Sequence, residues 1–306
     1  MMFTQSADSR FGLLTTRLLL FTAIGMALLF EYFGWGERSA DPVSVLAGGQ
    51  FTSQTGPAMG YPLQAGVVLG SLLWLLGWWV PVSCWLTVFS LLGFLALRQE
   101  GTYDVCHVDH WLWPLVFIQA VWTTWERPGR SLEPGRGAAI GGPSGRYPQW
   151  VLVLSVLVIA WFHTLSGIGK WQAAGWQWAD GVSLQLWLVA CGNPSSPLVD
   201  VLVGDVGVAL FVQRAILVIE LLACLAIFNP WLRRLVGVAL LVYYAFFLHC
   251  FVDWMGLAAQ ISWGTATAPV ATGLAFPVLT YLFQAFLVLW FFLLPDRFVE
   301  RWESSE

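Results

Sequence analysis

Apolar residues gather in long runs along this 306-residue chain, and short polar segments separate the runs. A run of about 20 mostly apolar residues can cross a bilayer as a helix. The pattern predicts about eight transmembrane helices, at 12–33, 63–79, 82–98, 111–125, 149–169, 207–228, 235–252 and 275–294. Only Val80-Pro81 separates the second from the third, which predicts a tight helical hairpin because proline begins a helix well and continues one badly.

The composition agrees with a membrane protein. Apolar residues make up 58% of the chain and charged residues only 10%, which excludes an ordinary soluble domain. The sequence contains no basic patch, so we do not expect a nucleic-acid partner. Because an open sheet cannot satisfy its backbone groups in lipid, we expect an all-α, polytopic helical bundle that forms a single transmembrane domain over 1–306.

The arginines set the orientation. Placing the N-terminus inside puts nine of them on the inner side, and cytoplasmic loops are usually rich in arginine and lysine. These are Arg10, Arg127, Arg130, Arg136, Arg146, Arg233, Arg234, Arg297 and Arg301. We therefore expect a plasma-membrane protein with both termini in the cytoplasm and an extracytoplasmic functional face. The inner loop is 126–148, and the long outer loops are 35–62 and 170–206.

Lys170 is the only lysine in the chain, and it follows the apolar run of the fifth predicted span. Arginine stays protonated in proteins, whereas a desolvated lysine can lose its proton, so Lys170 is the one plausible amine base. His163, Gly167 and Lys170 are spaced to share one helical face. Gly167 and Gly169 leave room for a group to approach the backbone beside Lys170. The alternative is an interfacial lysine that only anchors the helix.

Other polar groups in apolar surroundings are weaker candidates. His249 ends the seventh predicted span, and a catalytic role and a paired core histidine are equally compatible with that position. Glu220 lies near the middle of the sixth, where a bundle-stabilising role is the preferred interpretation. Cys106-His107-Val108-Asp109-His110 crowds its ligands into five residues without a second cluster at zinc-type spacing, so we expect no metal site there.

Several short motifs resemble one known family. Gly167-Ile168-Gly169-Lys170, followed by Trp178-Ala179-Asp180-Gly181, resembles a signature of the vitamin K-dependent γ-glutamyl carboxylases. These enzymes belong to the horizontally transferred transmembrane (HTTM) domain family. His110-Trp111-Leu112-Trp113 and Phe247-Leu248-His249-Cys250 resemble two further family motifs, and Glu220 falls where many relatives carry a helical glutamate.

The resemblance implies a chemistry. In the carboxylases a lysine amine deprotonates a reduced quinone, which reacts with O2 to give a strong base, and CO2 then adds to a glutamate side chain. It implies a catalytic Lys170 assisted by His110 and His249. The supporting residues would be His163, Trp178, Asp180, Gly181 and Glu220.

This sequence also differs from the carboxylases in two respects. Gly169-Lys170 stands where the carboxylases carry paired lysines. Because the sequence ends soon after its eighth predicted span, we expect no equivalent of their large lumenal domain. We therefore expect a different peptide or protein substrate, or a separate soluble partner that presents it, in addition to membrane lipid. The alternative is a non-catalytic membrane helper in peptide or protein maturation or export. A transporter is less favoured, because the charges crowd the outer ends of the helices and no paired broken helices are evident.

Overall fold

The computed structural model describes residues 7–32, 55–101, 107–125, 146–252 and 281–295. These ranges are mostly helical. The helices are α1 (Ser9–Tyr32), α2 (Thr55–Leu75), α3 (Val80–Gly101), α4 (His107–Trp125), α5 (Gln149–Ala174), α6 (Val182–Cys191), α7 (Pro197–Gly204), α8 (Val206–Leu222) and α9 (Pro230–Phe251). A further helical segment, Tyr281–Leu293, ends in the π-helix Leu289–Leu293. The strands in these ranges are β1 (Ala7–Asp8) and β2 (Arg146–Tyr147), each two residues long.

Four described helical segments are long and apolar enough to cross a membrane: Phe11–Leu28, Gln149–Trp178, Val206–Ile227 and Pro230–Phe251. Met59–Leu75, Val80–Ala96 and Tyr281–Leu293 are apolar but shorter. The class of helical membrane protein predicted from the sequence is therefore confirmed. The number of eight crossings stays a prediction.

The helices form two compact units, one up to Ser155 and the other Val156–Pro295. The first unit contains the predicted hairpin, in which α2 ends at Leu75 and α3 begins at Val80. This close connection is confirmed. The turn lies at 76–79, earlier than predicted, because Val80 and Pro81 already belong to the first turn of α3.

Tyr147 is the centre of a buried aromatic cluster in the first unit. Its ring meets Phe11 and Trp122 edge-on, at centroid distances of 5.4 and 5.0 Å. Its hydroxyl accepts a hydrogen bond of 2.7 Å from the Gln119 side-chain amide. Burial raises the pKa of Tyr147, so the phenol stays neutral at physiological pH. The antiparallel pairing of β1 with β2, in which Ala7 faces Tyr147, fixes the chain beside this cluster.

The second unit is helical where the sequence predicted the outer loop 170–206. The α5 helix runs on to Ala174, a 3₁₀ turn (Gly175–Trp178) follows, and α6 and α7 fill most of the remainder. These short helices bury one apolar cluster, formed by Leu184, Leu188, Val199, Leu202, Ala209 and Cys250. Burial of apolar side chains accounts for the helices that the loop prediction missed, since a segment with its own core need not remain open.

Local sequence signals mark the starts of α8 and α9 in the second unit. The Asp205 carboxylate accepts hydrogen bonds from the backbone N–H groups of Gly207 and Val208 at the start of α8. The Asn229 side chain accepts one from Leu232, and Pro230 occupies the first turn of α9. Aspartate and asparagine are favoured in this position because they satisfy donors that a helix N-terminus leaves free.

The predicted inner loop 126–148 and the outer loop 35–62 fall largely outside the described residues, which resume at Arg146 and Thr55.

Candidate active site around Lys170

Two apolar helices, α5 and α8, approach each other closely at one level of the second unit. Thr164 Oγ1 accepts a hydrogen bond of 3.1 Å from the backbone N–H of Cys224. One turn further along α5, a Cβ at Gly167 would lie 2.9 Å from the backbone nitrogen of Leu221. Such an approach requires a residue without a side chain. The room that the sequence predicted at Gly167 is therefore occupied by α8, whereas Gly169 has open space around it.

This approach brings the chain's only lysine against a buried carboxylate. Lys170 Nζ lies 2.5 Å from Glu220 Oε1 and 2.6 Å from Oε2, so it contacts both oxygens. The Glu220 side chain is 1% exposed and that of Lys170 is 24% exposed. By helix rise alone, Glu220 lies about 20 Å from the start of α8. Both residues therefore belong to segments that are long and apolar enough to cross a membrane, Gln149–Trp178 and Val206–Ile227, and Lys170 lies about one turn before the end of α5.

The two oxygens of Glu220 have unequal surroundings. Oε1 also accepts from Tyr243 Oη at 3.3 Å and, at 3.4 Å, from Ser166 Oγ. Among the described residues, Oε2 accepts a hydrogen bond only from Lys170. A carboxylate oxygen has two lone pairs, so Oε2 keeps the larger free capacity for a proton.

An aromatic ring lies next to the lysine. The centroid of the Trp178 ring is 4.8 Å from Lys170 Nζ, a distance at which the ring face attracts a cation. Trp178 belongs to the 3₁₀ turn that follows α5, so the chain folds back over its own lysine. The pair of Trp171 and Trp176, in edge contact at 5.0 Å, lies in the same part of the chain.

Gln213 on α8 holds this turn in place. Its amide nitrogen donates to the Trp178 carbonyl at 2.7 Å, and its amide oxygen accepts from the Gly181 N–H at 2.8 Å. Gly181 has a φ of +82°, and a Cβ there would lie 2.8 Å from the backbone nitrogen of Leu210. Both the left-handed backbone and the contact require glycine, which gives Gly181 a structural reason for its place in the Trp178–Gly181 motif.

Asp180 has a local role in the same motif. It is exposed, and its carboxylate accepts a hydrogen bond of 2.8 Å from the Ser183 N–H in the first turn of α6. A carboxylate in this position stabilises a helix start. In the structure, Asp180 therefore stabilises the beginning of α6. It is not among the described hydrogen-bond partners of Lys170 or Glu220.

His163 is buried about one helical turn before Gly167, on the face of α5 that its spacing predicted it to share with Gly167 and Lys170. Its Nε2 lies 2.8 Å from the hydroxyl of Tyr244 on α9. The rings of Tyr243 and Tyr244 each lie 5.7 Å from the imidazole. The shared face of His163, Gly167 and Lys170 is thus confirmed as the face that packs against neighbouring helices, and His163 is a hydrogen-bonded core histidine.

His110 and His249, the two histidines predicted to be catalytic, are not joined to the Lys170–Glu220 pair by the described contacts. His249 is exposed in the last turn of α9, while the neighbouring Cys250 turns into the apolar cluster. His110 lies on α4 in the first unit, and its side chain is outside the part of the chain that the structure describes. Their catalytic roles stay predictions.

Metal binding has no candidate among the described residues, where no group of three histidine, cysteine or acidic side chains comes together. The Cys106–His110 segment lies outside this search, since Cys106 and the His107 and His110 side chains are not described.

Sequence reasoning missed three residues of the site: Ser166 and Tyr243, which donate to Glu220, and Gln213, which holds the turn at Trp178. One signal was present for Gln213. It precedes Glu220 by two helical turns on α8, so the two polar side chains share a face of an otherwise apolar helix. No comparable signal marks Tyr243, because α9 carries many aromatic residues and its packing partner follows from the tertiary structure.

The site as a whole combines one amine, one buried carboxylate and a flat aromatic face within an apolar bundle. Such a group can bind a hydroxyl-bearing ligand and move a proton, because charges interact strongly where water is excluded. The chain matches no protein-family model, no curated protein and no solved structure. The function must therefore be argued from the site.

Proposed function

We propose that this chain is an integral membrane enzyme of the HTTM type that modifies a peptide or protein by a carboxylase-like, lyase-type reaction. In this proposal Lys170 provides the amine that receives a proton from a reduced quinone. One observation carries the proposal: the only lysine of the chain lies in a helical segment apolar enough to cross a membrane, partly exposed, between a tryptophan ring and a buried carboxylate. An interfacial anchor would need neither neighbour.

The side chains present fit a flat aromatic ligand with a hydroxyl group. The Lys170 amine would face the hydroxyl, and the ring of Trp178 offers a stacking face beside it. A lipid-soluble ligand could reach this depth from the bilayer. When bound, a reduced quinone supplies the reducing equivalents that, with O2, drive proton removal before CO2 adds to the substrate.

The arrangement in the membrane is part of the proposal. The arginine distribution supports both termini in the cytoplasm of a plasma membrane, with eight crossings. Residue 170 then lies on the half of the membrane that faces outward, where a secreted peptide, or a separate soluble protein that presents one, would meet it. Besides the substrate, membrane lipid is the expected partner, and nucleic acid is not expected.

A second candidate is a non-catalytic membrane helper in peptide maturation or export. The observation that favours it is the engagement of Lys170 with both oxygens of Glu220. A buried ion pair that only fixes two helices would have this geometry. In that case the charge of residue 170 matters and its titratable amine does not.

Lys170→Arg separates the two candidates. Arginine keeps the positive charge and the ion pair but remains protonated, so an amine base is lost while a structural pair survives. The peptides encoded beside the gene would be co-expressed with either protein and analysed by mass spectrometry for the gain of a carboxyl group. A lipid extract of the purified protein would be analysed for bound quinone. Arg214→Lys, at an exposed position on α8, is the matched control for exchange of the cation.

The enzyme proposal predicts a carboxylated product from the wild type and the Arg214→Lys variant. It predicts at least a ~100-fold loss in Lys170→Arg, the order of magnitude that a general base contributes. Full modification by well-folded Lys170→Arg would eliminate the base and leave Lys170 as a helix-pairing residue.

A further inference from the structure

We propose that Glu220 is the final proton acceptor of the site and that Lys170 relays the proton to it. This inference rests on the proposed function, since it concerns the deprotonation of a bound hydroxyl group. It differs from the prediction of a purely bundle-stabilising glutamate, and it follows from contacts that the sequence did not reveal.

The first step of the argument is the charge state of the pair. In the ion pair that these contacts describe, Lys170 is an ammonium ion, which has three donors and no acceptor. In this state Lys170 cannot receive a proton. A base at this site needs another group that takes the ammonium proton first, and Glu220 is the described group within hydrogen-bond distance that can do so.

The second step is the asymmetry of the carboxylate. Tyr243 and Ser166 both donate to Oε1 and hold the carboxylate in one orientation, in which both oxygens contact the lysine but Oε2 has no donor besides it among the described residues. Oε2 is therefore the oxygen with room for a proton. Because Glu220 is 1% exposed, water does not compete for this position.

The third step is the proton balance. The proton moves from Lys170 Nζ to Glu220 Oε2, which converts the ion pair into a neutral amine and a neutral carboxylic acid. The amine nitrogen then takes the proton of the ligand's hydroxyl, whose O–H bond breaks and leaves its electron pair on oxygen. The products are a ligand oxyanion, the Lys170 ammonium and protonated Glu220.

This sequence keeps the site electrically neutral at every stage, which matters because an isolated charge is costly in a medium of low dielectric constant. The oxyanion also forms next to an ammonium that is no longer neutralised by the carboxylate. Lys170 therefore stabilises the product of the proton transfer, and Glu220 stores the proton.

Infrared difference spectroscopy tests this directly, because a protonated carboxylic acid has a C=O stretch that a carboxylate lacks. The full-length protein would be reconstituted in lipid, and a soluble naphthohydroquinone added without oxygen. Formation of the naphthoquinol anion would be followed in parallel by its visible absorbance. We expect the anion and the acid band to appear together in the wild type.

Two variants assign the band to Glu220. In Glu220→Gln the acid band should be absent and the yield of anion should fall by about 100-fold. Tyr243→Phe removes one hydrogen bond to Glu220 without touching Lys170, so the band should remain but shift in frequency. A merely structural glutamate would give no acid band in any of the three proteins.

A third variant needs no ligand. In Lys170→Met the carboxylate loses its counter-ion, and a buried carboxylate without one takes up a proton. The acid band should then be present before any quinol is added, and it should vanish in Lys170→Met combined with Glu220→Gln. Its absence from folded Lys170→Met would mean that Glu220 does not hold a proton, and the inference would be wrong.

The outcomes distinguish this inference from the proposed function. A quinol anion that forms without an acid band, or forms equally well in Glu220→Gln, overturns the role of Glu220 and leaves Lys170 as the base. No quinol anion in the wild type overturns the proposed function together with the inference.

Discussion

Gly167 on α5 and Glu220 on α8 lie so close that a Cβ on the glycine would come within 3.0 Å of the Glu220 Cβ. This contact sets the distance between the two helices at the level of the site. It also explains how a carboxylate so far along α8 reaches a lysine near the end of α5. Gly167 is therefore a packing residue, and a larger residue in its place would disturb the Lys170–Glu220 ion pair.

Gly167→Ala should separate α5 from α8 and weaken the Lys170–Glu220 pair. The added methyl group meets backbone atoms of Leu221, which cannot move aside as a flexible side chain would. Overpacking of this kind costs about 1–3 kcal/mol. Thermal unfolding of the purified protein in detergent would measure the loss.

Gly169→Ala is the matched control, two residues away on the same helix. Nothing lies within 4 Å of its Cβ position, and alanine favours a helix over glycine by about 1 kcal/mol. We expect unchanged or slightly increased stability. Equal destabilisation by both substitutions would show that α5 tolerates no larger residue there for reasons other than the contact with α8.

Replacing one partner of the Lys170–Glu220 pair should lower the stability of the folded protein more than replacing both. Lys170→Met leaves Glu220 buried without a counter-ion. Loss of one partner of a buried pair lowers the stability of a protein by about 3–5 kcal/mol, and protonation of Glu220 would recover part of this loss. Glu220→Leu should lower expression for the corresponding reason, whereas Glu220→Gln keeps two hydrogen-bonding atoms and should fold.

A double-mutant cycle measures this coupling. Lys170→Met combined with Glu220→Leu should be more stable than the sum of the single losses predicts, by about 1 kcal/mol or more. Strict additivity of the two substitutions would mean that the pair contributes nothing to the stability of the folded bundle.

Gln213→Ala should release the turn that covers Lys170. The substitution removes two hydrogen bonds to backbone groups of Trp178 and Gly181, each of which contributes about 1 kcal/mol. The Trp178 ring should then become more accessible, which acrylamide quenching would detect in a variant with few other exposed tryptophans.

Gln172→Ala serves as the control for Gln213, since Gln172 is an exposed glutamine on α5. It should change neither stability nor quenching. If Gln213→Ala also left both unchanged, the turn would be held by its own packing and not by the glutamine.

The orientation can be tested with single cysteines in a background that lacks the native ones. Ser53 and Ser196 both fall in predicted outer segments, but Ser196 is buried and Ser53 lies outside the described residues. The exposed neighbour Ser195 is the better position. A cysteine at 195 should react with an impermeant reagent in intact cells, and one at Ser144 in the inner loop should not. The reverse pattern would show the opposite orientation and would contradict an outward-facing site.

Much of the fold follows from the sequence because it depends on local chemistry. Long apolar runs must form helices in lipid, where each helix satisfies its own backbone. The α2–α3 hairpin and the shared face of His163, Gly167 and Lys170 follow from proline chemistry and helical periodicity, and the structure confirms both. The interpretation of 170–206 as an outer loop was incomplete because α6 and α7 are short, and short apolar runs do not resemble spans.

The partner of Lys170 could not be found in the same way. The sequence alone identified Lys170 as the one titratable amine and Glu220 as a costly carboxylate in an apolar helix, because the identity of a side chain fixes its charge. It left them as separate candidates, since they are 50 positions apart in the sequence and periodicity relates only positions on one helix. Only the tertiary structure joined them, because the approach of α5 to α8 depends on Gly167 meeting one particular stretch of a distant helix.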